Sequence, residues 1–195
     1  GLLAGKKLSS LYFGGGTPSL IGKRDLEKLF AFLRSYFQWE ELKESTIETI
    51  PEIITTERVS LWKEFFNRIS VGIQSLNPTL LRIIGRKSAK DKISDPNEVM
   101  RKLDILSQSI GETPLRINFD LIYGIPTQTP EHILADITEI MKRINPPMLS
   151  FTLYRLRLHR GTSYSALYRR KDELHLPTQQ YTYALYYVVS QHLNS

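Results

Sequence analysis

The chain has 195 residues, a formal net charge of +6 and a hydrophobic fraction of 41%. This length is enough for one domain with a well-formed core and hardly enough for two. The sequence contains no cysteine, which excludes disulfides and any metal or iron–sulfur site held by thiolates within these residues.

The positive charge does not by itself indicate a nucleic-acid partner. Basic residues concentrate in RIIGRKSAKDK (82–92), RLRLHR (155–160) and YRRK (168–171), but acidic residues are interspersed through most of the chain. This pattern favours a solvated or anion-steering surface over a dedicated nucleic-acid face. No apolar run reaches the length of a membrane span, and we expect a cytoplasmic protein. The start, GLLAGKK, has neither a Met nor a signal-peptide pattern, so we expect the chain to begin inside a longer protein.

Strand and helix patterns alternate along the chain. The predicted strands are short runs rich in apolar or β-branched residues, at 7–15, 45–50, 68–75, 114–124 and 148–156. The predicted helices carry apolar residues at helical spacing, at 24–37, 55–66, 78–84, 96–110, 130–144 and 178–193. Because helical sequence follows each strand, the order predicts an α/β fold with one parallel sheet, right-handed crossovers and outer helices.

Unusual residues stand where the predicted strands end. In a parallel sheet the carboxyl ends of the strands gather along one rim, where ligands bind. We expect that rim to collect residues 14–18, Glu48, Gln74 and Asp120. This convergence is the main structural argument for a site.

The turn GGGTP at residues 14–18 is the first candidate for binding. Consecutive glycines let the backbone approach a ligand closely and present unhindered N–H groups, and Thr17 adds a hydroxyl. The same sequence also suits a tight strand–helix turn that binds nothing. It matches neither a Walker loop nor the dinucleotide pattern G-x-G-x-x-G.

Glu48 and Asp120 are carboxylates within apolar strand sequence. A buried acid costs several kcal/mol unless it is paired or hydrogen-bonded. These two could accept hydrogen bonds from an ammonium group or a ribose diol, or they could form structural salt bridges with Arg68 or Arg116. Neither alternative is favoured by the residues alone.

Other polar residues carry weaker signals. Gln74 and Arg86, taken singly, suit surface or capping roles as well as ligand contacts. Histidines 132, 159, 175 and 192 show no metal-ligand spacing, and no nucleophile–His–acid arrangement can be assembled. We predict neither a catalytic residue nor a metal site.

Six segments, taken in order, resemble one known family: YFGGGTPSL, IETIPE, NRISVGIQS, IIGR, INFDLIYGIPTQT and GTSYSALY. They are similar to the radical S-adenosylmethionine core of the oxygen-independent coproporphyrinogen III oxidases and their heme-chaperone relatives. The resemblance runs from about residue 11 to the end of the chain. It implies a partial (β/α)6 barrel, its first strand missing, with the cofactor at the carboxyl ends of the strands.

The resemblance also implies roles for the rim residues. The glycine turn would meet the methionine end of S-adenosylmethionine, the strand-end groups would add polar contacts, and Asp120 would lie beside the nucleoside. The residues that would contact the cofactor in this way are Gly15, Gly16, Thr17, Glu48, Gln74, Arg86 and Asp120.

The chain departs from the family at the iron–sulfur cluster. The C-x3-C-x2-C motif that binds a [4Fe-4S] cluster in the family would precede the first predicted strand and is absent. The resemblance therefore implies that this chain alone cannot form the 5′-deoxyadenosyl radical. Ile50 stands where the family usually has Asn or Asp, and GRKSAKD lacks the His often found after its Arg.

The resemblance favours the heme-chaperone branch. RGTSY followed by LHLPTQQYTYALYYVV is more similar to the chaperones, which implies a porphyrin or heme ligand and a heme-accepting protein as partner. We expect a barrel core at 1–177 and the start of a carboxyl-terminal helical region at 178–195, truncated at both ends. The alternative is a degenerate module that binds S-adenosylmethionine or porphyrin without radical chemistry.

Overall fold

The computed structural model describes residues 6–39, 42–86, 95–111, 114–144, 149–157 and 176–193. The strands are β1 Lys6–Lys7, β2 Ser10–Phe13, β3 Phe37–Gln38, β4 Glu44–Thr49, β5 Arg68–Gln74, β6 Arg116–Tyr123 and β7 Leu149–Arg155. The α-helices are α1 Lys23–Tyr36, α2 Thr56–Lys63, α3 Pro78–Ile83, α4 Pro96–Ile110, α5 Pro130–Arg143 and α6 Gln179–Leu193. Segment 161–168, basic run 168–171 and histidines 159 and 175 lie outside the described residues.

Five strands form one sheet in the order β2-β4-β5-β6-β7, and every neighbouring pair is parallel. The register sets Glu48 opposite Ser70, Gly72 opposite Asp120 and Asp120 opposite Thr152. Glu48 is thus level with Ser70 and Asn118, and Asp120 lies two residues further toward the carboxyl ends of the strands. The predicted parallel α/β architecture is confirmed.

The two faces of the sheet differ in character. Ile47, Ile69, Val71, Ile117 and Phe119 belong to the buried hydrophobic core. Since side chains alternate between faces along a strand, the intervening residues of β4, β5 and β6 point to the opposite face. That second face is polar.

The helices cover the apolar face with their own apolar stripes. α4 buries Leu103 and Leu106, α5 buries Ile137 and Ile140, and both helices belong to the same core as the strands. Burying a side chain of this size stabilises the fold by about 1.5–3 kcal/mol. The strands that carry the polar rim are thus packed against a buried apolar core.

Two of the helices that follow strands are capped by side chains at their first residues. Thr55 accepts a hydrogen bond from the Arg58 N–H at the start of α2, and the Asn77 side chain accepts from Thr79 and Leu80 at the start of α3. Such caps satisfy N–H groups that have no partner within the helix. These caps mark where α2 and α3 begin after strands β4 and β5.

A second, two-stranded sheet is a feature that the sequence analysis missed. β1 and β3 pair in parallel, with Lys6 opposite Phe37 and Lys7 opposite Gln38. Phe37 was expected to end the first helix. Strands of two residues are too short to show a period, so the sequence carries no signal for this pairing.

Helix α6 packs on the connection between β6 and α5. Leu185 and Val189 are buried in the core, and the Tyr181 hydroxyl donates 2.9 Å to the Gln128 carbonyl. A Cβ on Gly124, whose φ is +80°, would lie 3.2 Å from the Thr182 methyl group. The domain boundary at residue 178 stays a prediction.

None of the helices in the described ranges combines the length and apolar character that crossing a bilayer requires.

Candidate functional site

A cavity of about 470 Å³ opens at the carboxyl ends of β4, β5 and β6. It is lined by Gly16, Thr17, Pro18, Glu48, Thr49, Ile50, Gly72, Gln74, Arg86, Asp120, Ile122 and Tyr154. Six of the seven residues predicted to contact a cofactor are in this lining, and the seventh, Gly15, donates its N–H to Glu48. The structure brings the predicted residues together, while their individual roles stay predictions.

Glu48 is held by two donors at the end of β4. Its Oε1 accepts 2.7 Å from the Tyr12 hydroxyl, and its Oε2 accepts 3.0 Å from the Gly15 N–H. Burial and the neighbouring Glu48 carboxylate raise the pKa of Tyr12 above its ordinary value. The phenol therefore keeps its proton and remains a donor to Glu48.

The glycine turn is shaped around this carboxylate. A Cβ on Gly14 would lie 2.7 Å from Cε1 of Tyr12 and 3.0 Å from the Glu48 carboxyl carbon. Gly15 and Gly16 have φ values of +83° and +58°, and nothing lies within 4 Å of a Cβ built on either. Positive φ favours glycine, and the space beside both residues is open to a ligand.

Gln74 ends β5 in a tight, unusual turn. Its φ is +70°, the N–H of Ser75 donates 2.9 Å to the carbonyl of Ile73, and the register shifts between Gly72 and Gln74. A hydrogen bond spanning two residues around a positive φ is a γ-turn of the strained kind. Arg86 returns to the same strand end and donates 3.2 Å to the Gly72 carbonyl.

Asp120 lies at the centre of a polar network on the second face of the sheet. It accepts 3.0 Å from the Ser70 hydroxyl and 2.7 Å from the Asn118 amide. The Asn118 carbonyl accepts in turn from the hydroxyls of Ser150 and Thr152, each at 3.0 Å. Burial raises the pKa of Asp120, while the bonds from Ser70 and Asn118 oppose this rise.

Salt bridges to Arg68 or Arg116 were the alternative prediction for the carboxylates of Glu48 and Asp120. In the described part of the chain, Arg116 pairs instead with Glu44, at 3.1 Å, and Arg68 lies 4.0 Å from the same carboxylate. Glu48 and Asp120 are satisfied by hydroxyl, amide and backbone N–H donors. Their remaining acceptor capacity faces the cavity.

Several residues of the site were not predicted from the sequence. Tyr12, Ser70, Asn118 and Tyr154 hold the acids or line the cavity. Asn118 precedes Asp120 by two positions and therefore points to the same face. That spacing of polar residues in an apolar strand was the available signal, whereas the approach of Tyr154 depends on pairing between distant strands.

Known protein families and relatives match most of this chain. The sequence model of the Radical SAM superfamily matches residues 2–140. The chain is 33% identical over 180 residues to the oxygen-independent coproporphyrinogen III oxidase of Escherichia coli (strain K12), covering 92% of this chain and 36% of that protein. It is 31% identical over 149 residues to the heme chaperone HemW of Lactococcus lactis, covering 76% of this chain and 37% of the chaperone.

A solved structure supports the same assignment. The coproporphyrinogen III oxidase HemN from Escherichia coli, described as a radical SAM enzyme, superposes with a TM-score of 0.69 at 31% identity. The superposition covers 99% of this chain and 42% of the oxidase, so the chain spans less than half the length of that relative. The likeness confirms a partial barrel of parallel strands with outer helices. Since the superfamily model covers most of the sequence, this chain belongs to the radical SAM superfamily.

Proposed function

We propose that the chain is the S-adenosylmethionine-binding core of an oxygen-independent coproporphyrinogen III oxidase-like protein of the heme-chaperone branch. One observation carries the proposal. Two carboxylates, a glycine turn and the polar side chains of Gln74 and Arg86 line one cavity at the carboxyl ends of parallel strands. Ligands of α/β sheets bind at this position.

The residues present fit S-adenosylmethionine, which membership in the superfamily implies. The cofactor carries an ammonium and a sulfonium, and nearby ionised carboxylates favour such cations. The cavity volume of about 470 Å³ lies within the range typical of small-molecule sites. In the family the bound cofactor, together with an iron–sulfur cluster, supplies radical chemistry.

The proposed contacts follow the layout of the rim. Glu48, fixed by Tyr12, accepts from the methionine end beside the open glycine turn. Gln74 and Arg86 add polar contacts from the β5 side, and Asp120 lies beside the nucleoside. The residues that would hold the cofactor are Gly15, Gly16, Thr17, Glu48, Gln74, Arg86 and Asp120.

The [4Fe-4S] cluster that membership also implies does not fit these residues. The sequence has no cysteine, and the described ranges hold no cluster of three or more His, Asp or Glu suited to a metal. No step of a radical reaction is therefore assigned to this chain's residues. The second candidate is a module that binds S-adenosylmethionine or porphyrin without radical chemistry.

The heme-chaperone branch is the finer part of the proposal. The two relatives are matched at similar identity, 33% and 31%, so overall identity favours neither branch. The supporting feature is the carboxyl-terminal sequence that includes helix α6, which resembles the chaperones. Heme is the proposed ligand, a heme-accepting protein the proposed partner, and the cytoplasm the proposed location.

Calorimetric titration with S-adenosylmethionine tests the binding function. The wild-type chain is expected to show saturable uptake, and Asp120→Ala is expected to weaken it by about 10-fold or more, the loss typical of a hydrogen bond to a charged group. Asp104→Ala is the matched control, because Asp104 is half exposed on α4 and pairs with Arg143 at 3.6 Å. No uptake by the wild type, or equal losses in both variants, would refute the proposal.

To test the heme-chaperone branch, the protein must be isolated without oxygen from the cells that naturally make it. The proposal predicts bound heme in the absorption spectrum and no conversion of coproporphyrinogen III. Conversion of that substrate would assign the protein to the oxidase branch. Cofactor binding without iron, sulfide or heme would favour the module that lacks radical chemistry.

A further inference from the structure

Asp136 is a buried carboxyl that lies outside the cavity lining. It is 5% exposed on α5, whose other buried residues are Ile133, Ile137 and Ile140. Burial raises its pKa to about 6, which shows that the surroundings oppose its charge. A group held against such a penalty needs a structural reason.

The hydrogen-bond donors to Asp136 belong to the connection directly after Gln74. The Ser75 hydroxyl donates 2.8 Å to its Oδ2, and the Leu76 N–H also donates to the carboxylate. The Ser75 oxygen accepts in turn from the Asn77 N–H at 3.1 Å. On its own helix, His132 lies one turn away and favours the ionised carboxylate. One side chain from α5 thus contacts two successive residues directly, and a third through the Ser75 hydroxyl.

Those residues follow the strained turn that aims Gln74 into the cavity. A non-glycine residue at φ +70° is held in a sparsely populated conformation. Such conformations persist only when the surrounding structure over-determines them. The Gln74 amide lies close over Gly72, with its nitrogen 3.1 Å from the position of a Cβ on that glycine. Relaxation of the turn would move this amide.

We propose that Asp136 is a positioning residue that acts through Ser75 and Leu76 to hold the turn at Gln74, and so keeps the Gln74 amide in the cavity. Its effect on S-adenosylmethionine rests on the proposed function. Its effect on the turn rests on the hydrogen bonds alone.

Hydrogen exchange on the ligand-free chain tests the turn. Asp136→Ala removes the acceptor, whereas Asp136→Asn keeps an oxygen of the same reach. We expect the Ser75 and Leu76 amides to exchange at least about 10-fold faster in the alanine variant and near the wild-type rate in the asparagine variant. Ile137→Val, a mild core substitution at the next residue, controls for loss of stability. Unchanged exchange in Asp136→Ala, or an equal acceleration in Ile137→Val, would overturn the proposal.

A double-mutant cycle with Gln74→Ala tests whether Asp136 acts through Gln74. We expect Asp136→Ala to weaken S-adenosylmethionine binding by about 3- to 10-fold in the wild type and not at all in the Gln74→Ala background. Additive losses would overturn the route through Gln74. If Asp136→Ala fails to fold, Ser75→Ala replaces it, because it removes the donor and leaves the carboxyl in place. If the wild type binds no S-adenosylmethionine, the proposed function fails and the exchange rates still decide the positioning role.

Discussion

The Tyr12 hydroxyl donates a 2.7 Å hydrogen bond to Oε1 of Glu48, while the N–H of Gly15 holds the other carboxylate oxygen at 3.0 Å. The carboxylate is therefore oriented before a ligand arrives. A pre-ordered group loses less conformational freedom on binding, so its contact contributes more to affinity. Tyr12 lies outside the cavity lining and acts on it through Glu48.

Replacing Tyr12 by Phe tests this orientation. The variant keeps the ring and removes one hydrogen bond, worth about 0.5–1.5 kcal/mol, so S-adenosylmethionine affinity is expected to fall roughly 2- to 12-fold. The melting temperature should hardly change, because the Tyr12 side chain is half exposed. Tyr36→Phe, at an exposed tyrosine of α1, is the control for loss of a phenol. Equal affinities of Tyr12→Phe and the wild type in calorimetry would contradict this account.

Gly14→Ala tests how closely the turn packs on Glu48. The added methyl would approach Tyr12 to 2.7 Å and the Glu48 carboxyl to 3.0 Å, so one of these side chains must move. We expect a loss of about 1–3 kcal/mol in the free energy of unfolding and weaker cofactor binding. At Gly22, the N-cap of α1, a Cβ would meet nothing within 4 Å and φ is −81°, so Gly22→Ala is expected to cost less than Gly14→Ala. Urea unfolding compares the two variants, and similar midpoints would argue against the close packing.

Asp136 should make stability depend on pH. Its pKa is raised from 3.8 to about 6 on folding, so its contribution to stability is fully present below about pH 4 and is lost as the pH rises through 6. The difference in unfolding free energy between wild type and Asp136→Asn should therefore shift by about 2 kcal/mol against the wild type from pH 4 to pH 7.5. Urea unfolding across this range measures it. Parallel pH profiles of the two proteins would show that the carboxyl is not held in a site that opposes its charge.

Asn118→Ala tests the network that carries Asp120. Asn118 is 1% exposed and joins Asp120 on one side to Ser150 and Thr152 on the other. Removing the amide leaves buried groups without their partner, at a cost of about 1–3 kcal/mol in unfolding free energy. Asn97→Ala, at an exposed position in the first turn of α4, should change stability by less than about 0.5 kcal/mol. Equal midpoints for the two variants in urea would contradict the role given to the network.

Much of the fold could be predicted because its signals are local. Helices α1, α4 and α5 follow from apolar periodicity, and prolines begin α3, α4 and α5. The five strands of the main sheet follow from short apolar and β-branched runs. Convergence of the rim residues followed from parallel topology alone. The gathering of Glu48 and Asp120 in one cavity therefore needed no knowledge of side-chain contacts.

What escaped prediction depends on contacts between distant parts of the chain. The bond from Tyr12 to Glu48 spans 36 positions, and the bond from Ser75 to Asp136 spans 61. Arg68 and Arg116 lie beside Glu44 and not beside Glu48 or Asp120. The reason is that the register places both arginines at the start of their strands. The positive φ of Gln74 likewise has no signal in its residue type, since glutamine favours no such turn.

The most direct test of the account maps where S-adenosylmethionine binds on the chain. Titration of ¹⁵N-labelled protein, followed by amide chemical shifts, should show one saturable site with the largest changes at Gly15, Gly16, Thr17 and Gln74. These amides belong to the turns at the mouth of the cavity. Changes concentrated on helix α6 or on α1, with the two turns unmoved, would contradict a cofactor site at the carboxyl ends of the strands.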